Sequence, residues 1–178
     1  MGSWYKGITT DLQSVDGVSI TPDSTNNLGE TMEFLVLPRY KVKDYVTDKK
    51  HILISIYCHD DTPAELDPNP LRLAILPLQF DDWDTKAKES IETKYKNSAE
   101  AQKQIFFSEE HAKQIIEFVR RYSDKIDLII CQCAAGISRS AGVAAALSKC
   151  LNGEDGYFFK NYLPNSLVYS TILKVWSS

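Results

Sequence analysis

The chain has 178 residues and a formal net charge of −4, and hydrophobic residues make up 43% of it. This length suits one domain that buries a normal core without metal ions or disulfide bonds. The negative charge gives no general attraction to nucleic acids or to anionic membranes. There is no signal-peptide pattern, and no apolar run approaches the roughly 20 residues that a membrane-spanning helix needs. We therefore expect a cytoplasmic protein without a nucleic-acid or membrane partner.

The first part of the chain divides into a polar segment and a series of apolar ones. Residues 1–31 are rich in small polar residues without a regular period, and we predict a polar N-terminal extension there, followed by a domain over residues 32–178. Three apolar segments of this domain are typical of buried strands: residues 33–37, 51–58 and 71–80. Residues 84–104 are charged and carry only a weak apolar stripe, which predicts an exposed helix or a flexible insertion.

The second part alternates helical and strand patterns. Ser108 predicts a helix N-cap, and a buried helical face follows at Ala112, Ile115, Ile116 and Val119. The elements predicted after it are a short strand at 127–131, a tight loop at 133–138, and helices at about 139–151, 154–162 and 165–176. Strands that alternate with helices predict an α/β domain with a central, mostly parallel sheet flanked by helices.

The four cysteines do not have the spacing of a zinc site. We expect Cys58, Cys131 and Cys150 to be structural, because a cysteine inside a domain is usually a small buried residue. A redox pair of Cys131 and Cys133 is disfavoured, because side chains two residues apart on a strand are poorly placed for a disulfide. The three histidines share no spacing that indicates a metal site or a catalytic triad. Cys133 is the one cysteine that stands in an informative pattern.

That pattern is the loop between the short strand and the next helix, Cys133-Ala134-Ala135-Gly136-Ile137-Ser138-Arg139-Ser140. A strand, loop and helix in this order direct backbone N–H groups and the positive helix end toward one point, which is typical of an anion site. Gly136 permits backbone dihedrals that a side chain would obstruct. The same electrostatic field favours the thiolate of Cys133, and Arg139 can bind two oxygens of a phosphoryl group. The loop predicts a nucleophile that faces a bound phosphate.

The pattern Cys-x5-Arg-Ser resembles the signature loop of the protein-tyrosine and dual-specificity phosphatases, and the string AGISRS is most similar to the compact dual-specificity group. The order of elements over residues 32–176 is also similar. Low-molecular-weight phosphatases place this loop at the start of the chain, and rhodanese-type loops usually have one residue fewer. The resemblance implies a dual-specificity phosphatase-like fold, no metal or organic cofactor, and a phosphorylated protein or other phosphomonoester as the binding partner.

The resemblance also implies a role for each site residue. Cys133 would attack phosphorus and form a phosphocysteine, and Ser140 would donate a hydrogen bond to its thiolate. The phosphoryl oxygens would be bound by the Arg139 guanidinium and by the loop amides of Ala134, Ala135, Gly136, Ile137, Ser138 and Arg139. The family's general acid is an aspartate on a loop after an earlier strand. Matching the apolar positions of residues 76–80 places the acid at Asp82, with Asp81 and Asp84 as alternatives.

The chain departs from the family at Gln132, where a histidine that favours the thiolate is usual. The leading hypothesis is a phosphomonoesterase that acts on phosphotyrosine, with phosphoserine, phosphothreonine and small phosphorylated molecules left open. Inositol phospholipids are disfavoured, because residues 134–138 include no Lys or Arg. The alternative, which Gln132 supports, is a phosphate-binding interaction module with little or no turnover. The oligomeric state does not follow from the sequence.

Overall fold

A computed structural model describes residues 31–94, 98–99 and 101–178. The predicted N-terminal extension lies outside the described residues, apart from residue 31. The strands are β1 (Glu33–Pro38), β2 (His51–Tyr57), β3 (Arg72–Gln79) and β4 (Leu128–Cys133). The helices are α1 (Arg39–Val42), α2 (Thr85–Lys94), α3 (Glu109–Tyr122), α4 (Arg139–Asn152), α5 (Gly156–Asn161) and α6 (Ser166–Trp176), with a 3₁₀ turn at Ala101–Lys103.

The four described strands form one parallel sheet in the order β1-β4-β2-β3. The α/β class is thus confirmed, and every described strand pair is parallel rather than most of them. The chain crosses over between β1 and β2, and β4 lies between these two strands. In open parallel sheets, ligands bind beyond the carboxyl ends of the strands, at the point where the strand order reverses. Cys133 ends β4 at that edge, in register with Pro38 of β1.

The two faces of the sheet are buried unequally. Alternate strand residues, among them Ile54 and Ile129, belong to a large apolar cluster with helices α3 to α6. The intervening residues, such as Leu53 and Ile130, belong to a smaller cluster with Val42 of α1 and its neighbouring loops. Because side chains alternate along a strand, Cys133 faces the large cluster and Gln132 faces the small one. Neighbouring residues of β4 therefore have different surroundings.

Helix α3 has the polarity and capping that its sequence predicts. The Ser108 hydroxyl accepts a hydrogen bond from the backbone N–H of His111, and His111 Nδ1 accepts one from the backbone N–H of Ser108. The two residues thus form a capping box in which histidine takes the usual place of glutamate or glutamine. The predicted buried face of Ala112, Ile115, Ile116 and Val119 is buried as expected. None of the described helices is long and apolar enough to cross a membrane.

Helix α4 follows directly on the loop at residues 133–138 and is buried along most of its length. Small residues let other backbones approach it closely: a Cβ atom on Gly142 would lie 3.0 Å from the carbonyl oxygen of Asn165. The helix ends at Gly153, which has a φ of 80° and supplies the left-handed residue that commonly follows a helix. The first half of the predicted segment 84–104 forms helix α2, in which Thr85, Lys86 and Glu89 are exposed.

Candidate active site

Cys133 lies at the bottom of the site, at the carboxyl end of β4. Its side chain is 2% exposed, and its Sγ lies 3.0 Å from the Oγ of the fully buried Ser140 in the first turn of α4. A serine hydroxyl at this distance can donate a hydrogen bond to a thiolate. The strand fixes the backbone of Cys133 and the helix fixes that of Ser140, and both side chains are buried.

Arg139 is buried beside this pair, with 4% of its surface exposed. Its Nη1 donates a hydrogen bond of 2.9 Å to the carbonyl oxygen of Phe80 and approaches Cys58 Sγ at 3.2 Å. Its Nε is buried and has no hydrogen-bond partner among the described residues. A buried, unpaired guanidinium N–H is costly and therefore uncommon. One edge of the guanidinium is thus fixed by the protein, while Nε remains able to donate to an anion.

The loop between Cys133 and Arg139 is held from outside through its carbonyl groups. The carbonyl oxygen of Ala134 accepts a hydrogen bond from the backbone N–H of Arg39, and that of Ile137 accepts one from the backbone N–H of Leu163. Gly136 has a φ of 67°, and a Cβ atom there would lie 2.5 Å from the backbone nitrogen of Pro38. Both the dihedral and the contact require glycine at this point of the loop.

Ser138 lies at the N-cap position of α4, but its side chain does not cap the helix. Its hydroxyl instead donates a hydrogen bond of 2.7 Å to Asp82 Oδ1. The first-turn amides of α4 therefore donate no hydrogen bond to the side chain of their N-cap residue, although serine usually accepts one there. Together with the unpaired Nε of Arg139, this arrangement can bind an anion at the start of the helix.

Asp82 lies at the entrance to the loop, on the segment that follows β3. Its Oδ1 accepts hydrogen bonds from Ser138 and, at 2.9 Å, from Asn165 Nδ2. Its Oδ2 lies 3.9 Å from Arg139 Nε, and its side chain is 43% exposed. A carboxyl group in this position can exchange a proton with a ligand bound in the loop and with solvent.

The alternatives to Asp82 have different surroundings. Asp81 is 6% exposed and accepts hydrogen bonds from the backbone N–H of Ile105 and from both the backbone N–H and Nδ1 of His59. Burial acts to raise the pKa of Asp81, but the hydrogen bonds from Ile105 and His59 outweigh it and lower that pKa. Asp84 is exposed and lies just before α2. Asp82 is thus the member of this trio that the structure brings to Arg139.

Gln132 stands where the family resemblance leads us to expect a histidine, and its side chain points away from the loop. It is 1% exposed, and its Oε1 accepts a hydrogen bond of 2.8 Å from the hydroxyl of Ser55, its register partner on β2. Its Nε2 is buried without a hydrogen-bond partner among the described residues. The side chain adds no positive charge to the site.

The remaining cysteines differ from Cys133 in their surroundings. Burial strongly raises the pKa of Cys131, and it raises the pKa of Cys150 to about 11. Both thiols therefore stay protonated at neutral pH, as structural cysteines do. Cys58 is half-buried and contacts Arg139. Among the described residues, no group of three or more His, Cys, Asp or Glu side chains could hold a metal ion.

An open groove of about 680 Å³ adjoins the loop on the side of Asp82 and Ser138. Its apolar and aromatic walls come from the loop, the Asp82 segment and the α5–α6 connection: Trp83, Ile137, Phe159, Tyr162, Leu163 and Pro164. Ile137, Phe159 and Leu163 are large apolar side chains that remain exposed. The groove can therefore bury an apolar body that is attached to a group held in the loop.

Three contacts of the site were not anticipated from the sequence. The carbonyl oxygen of Phe80 and the thiol of Cys58 hold Arg139, and both belong to strand ends that the sequence places only as separate elements. Asn165 contacts Asp82 across 83 positions of the chain. Its position just after Pro164 and before an apolar helix signals an N-cap, which was the available clue.

Comparisons with protein-family models, curated proteins and solved structures found no match for this chain.

Proposed function

We propose that this chain is a dual-specificity phosphatase-like hydrolase that cleaves phosphomonoesters through a phosphocysteine at Cys133, with phosphotyrosine in proteins as its main substrate. The observation that carries the proposal is the Arg139 side chain, which is buried, anchored on Phe80 and without a hydrogen-bond partner at Nε among the described residues. A guanidinium held in this way matches the oxygens of a phosphoryl group. It stands six residues after a buried thiol that contacts a serine hydroxyl.

The reaction would need only residues of this chain and water. The Cys133 thiolate attacks phosphorus while the bond to the ester oxygen breaks, and Asp82 gives its proton to the departing oxygen. Arg139 and the loop amides bind the phosphoryl oxygens, whose charge they match best in the transition state. Water then attacks the phosphocysteine and gives a proton to Asp82, and Cys133 leaves as a thiolate stabilised by Ser140.

The lining of the groove favours an aromatic phosphate ester over a small polar metabolite as the substrate. The leaving-group oxygen must meet Asp82, and Asp82 is also a wall of the groove. The body of the leaving group would then lie against Trp83 and Ile137, which suit the ring of a phosphotyrosine better than a sugar or an inositol. Phosphoserine and phosphothreonine would leave more of this groove unfilled.

A second candidate is a phosphate-binding module with little turnover, and Gln132 is the observation that favours it. The family's histidine is absent, and Gln132 is engaged by Ser55 on the opposite face of β4. Activation of Cys133 would then depend on Ser140, the helix N-terminus and the loop amides alone. Such a protein would bind a phosphorylated ligand and release it unchanged.

The deciding experiment measures phosphate release from a phosphotyrosine peptide by the wild-type chain, Cys133→Ser and Cys150→Ser. The hydrolase proposal expects turnover that Cys133→Ser abolishes and Cys150→Ser leaves unchanged. The binding-module alternative expects no turnover by any of the three, with vanadate-competed binding of the peptide retained. Turnover that survives Cys133→Ser would contradict both functions.

A further inference from the structure

The buried side chain of Asn165 joins the start of α6 to the segment that carries Asp82. It is 4% exposed and is the N-cap of α6, where its Oδ1 accepts a hydrogen bond of 3.1 Å from the backbone N–H of Val168. Its Nδ2 donates to Asp82 Oδ1 at 2.9 Å and to the carbonyl oxygen of Trp83 at 3.2 Å. Both the oxygen and the nitrogen of the side-chain amide are therefore hydrogen-bonded. The amide has only one suitable orientation, because exchanging its oxygen and nitrogen would place an N–H donor against the N–H of Val168.

The backbone of Asn165 is fixed as firmly as its side chain. Its N–H donates to the carbonyl oxygen of Ser138 at 3.1 Å, and its own carbonyl oxygen accepts from the N–H of Tyr169. The close approach of Gly142 holds this backbone against α4. Asn165 is therefore a rigid support, whereas the Asp82 carboxyl that it contacts is partly exposed on a connecting segment.

We propose that Asn165 is a positioning residue for the general acid, and that it selects Oδ2 of Asp82 as the atom that carries the proton. This inference rests on the proposed function. Ser138 and Asn165 both donate to Oδ1, so that oxygen acts as an acceptor, and a proton on it would compete with these donors. Oδ2 is the remaining oxygen, and it lies 3.9 Å from Nε, the atom of Arg139 that has no hydrogen-bond partner among the described residues.

Asp82 gives up one proton in the first step of the reaction and takes one up in the second. In the first, the sulfur–phosphorus bond forms, the phosphorus–oxygen bond to the alcohol or phenol breaks, and the proton on Asp82 Oδ2 moves to the departing oxygen. In the second, Oδ2 takes a proton from the attacking water, the new phosphorus–oxygen bond forms, and the bond to Cys133 breaks. Asn165 keeps its hydrogen bond to Oδ1 throughout and acts only by orientation.

The contrasting interpretation is that Asn165 is merely the cap of α6. Serine and aspartate cap helices about as well as asparagine, so Asn165→Ser and Asn165→Asp keep the cap while removing the amide donor. Asn161 provides a matched control, because its amide donates to the carbonyl oxygen of Tyr157 and its side chain is exposed. Asn161→Ser should change neither activity nor stability appreciably.

The experiment measures kcat and KM for aryl phosphates of increasing leaving-group pKa, together with thermal stability. Asn165→Ser should lower kcat about 10- to 100-fold for the phenol-like esters and only a few-fold for the most acidic nitrophenols. KM and vanadate affinity should stay within a few-fold, because Arg139 and the loop are untouched. Asn165→Asp should also move the basic limb of the pH–rate profile to higher pH, because a second carboxylate disfavours ionisation of Asp82.

Combination with Asp82→Asn completes the test. In that background, Asn165→Ser should add no further leaving-group dependence, since the acid it positions is gone. Equal losses for all leaving groups, or losses that follow a fall in thermal stability, would overturn the inference and leave Asn165 as a cap. Absence of turnover in the wild-type chain would overturn the proposed function itself, and the positioning role with it.

Discussion

Arg139 Nη1 donates a hydrogen bond of 2.9 Å to the carbonyl oxygen of Phe80, the residue that follows β3. The contact fixes one edge of the guanidinium on the segment that also carries Asp82. It aligns the Arg139 guanidinium with the Asp82 carboxyl, the proposed phosphate ligand and the proposed acid, through a backbone atom that side-chain mutation at Phe80 does not remove. The contact thereby links two groups that belong to distant parts of the sequence.

Arg139→Lys should lower kcat/KM by roughly 100-fold or more, about 2.7 kcal/mol, although the charge is kept. Lysine cannot donate to Phe80 and to two phosphoryl oxygens at once, because its ammonium lacks the planar guanidinium geometry. Steady-state hydrolysis of an aryl phosphate measures the effect. Lys149→Arg, on the exposed part of α4, is the control and should have no effect. A loss of only a few-fold at Arg139 would show that it is not the phosphate ligand.

Cys133 should be the cysteine that iodoacetamide alkylates fastest at neutral pH, and vanadate or phosphate should protect it. Its thiol contacts Ser140 at the start of α4, whereas burial raises the pKa of Cys131 and Cys150. Mass mapping of the adducts over time identifies the modified residues. Faster labelling of Cys58 that oxyanions do not slow would contradict the assignment of the anion site to this loop.

The order of elements was predictable because apolar periodicity and caps are local signals. The strand at 127–131, the loop and α4 follow one another with little ambiguity, and the structure extends the strand only to Cys133. The sheet order was not predictable, because placing β4 between β1 and β2 depends on contacts between distant segments. The family resemblance, matched through the apolar positions of residues 76–80, favoured Asp82 and left Asp81 and Asp84 as alternatives, and Asp82 is the one that lies near Arg139. The anchoring of Asp81 by His59 and Ile105 required the tertiary structure.

Gly136→Ala should abolish oxyanion binding and destabilise the fold more than Gly153→Ala. Both glycines have positive φ, so both variants bear the cost of about 1–2 kcal/mol for a left-handed alanine. At Gly153 no described atom lies within 4 Å of the added Cβ, but at Gly136 it would lie 2.5 Å from the Pro38 nitrogen. Chemical denaturation and vanadate titration measure the two effects. Equal stability losses with binding retained would show that the loop does not need this close approach to β1.

Substitution of Asp81 should mainly lower stability, whereas substitution of Asp82 should mainly lower the catalytic rate. Asp82→Asn should lower kcat strongly for phenol-like esters, flatten the basic limb of the pH–rate profile and leave vanadate affinity nearly intact, because only the proton donor is lost. Asp81→Asn should instead reduce the free energy of unfolding by about 1–3 kcal/mol, because a buried acceptor of bonds from His59 and Ile105 is altered. The leaving-group dependence of Asp81→Asn should remain that of the wild-type chain.

The pH dependence of stability gives this comparison an independent measure. Because the pKa of Asp81 in the folded chain lies below its ordinary value of 3.8, its carboxylate contributes stability that is fully present above that value. The contribution is lost as the pH falls through the lowered pKa, where the folded chain must also take up the proton. Denaturation followed from neutral pH to well below 3.8 should therefore show a steeper acid-side loss for the wild-type chain than for Asp81→Asn. Asp82→Asn should retain the steep wild-type loss. A shallow profile in Asp82→Asn and a steep one in Asp81→Asn would exchange the structural and acid assignments of the two residues.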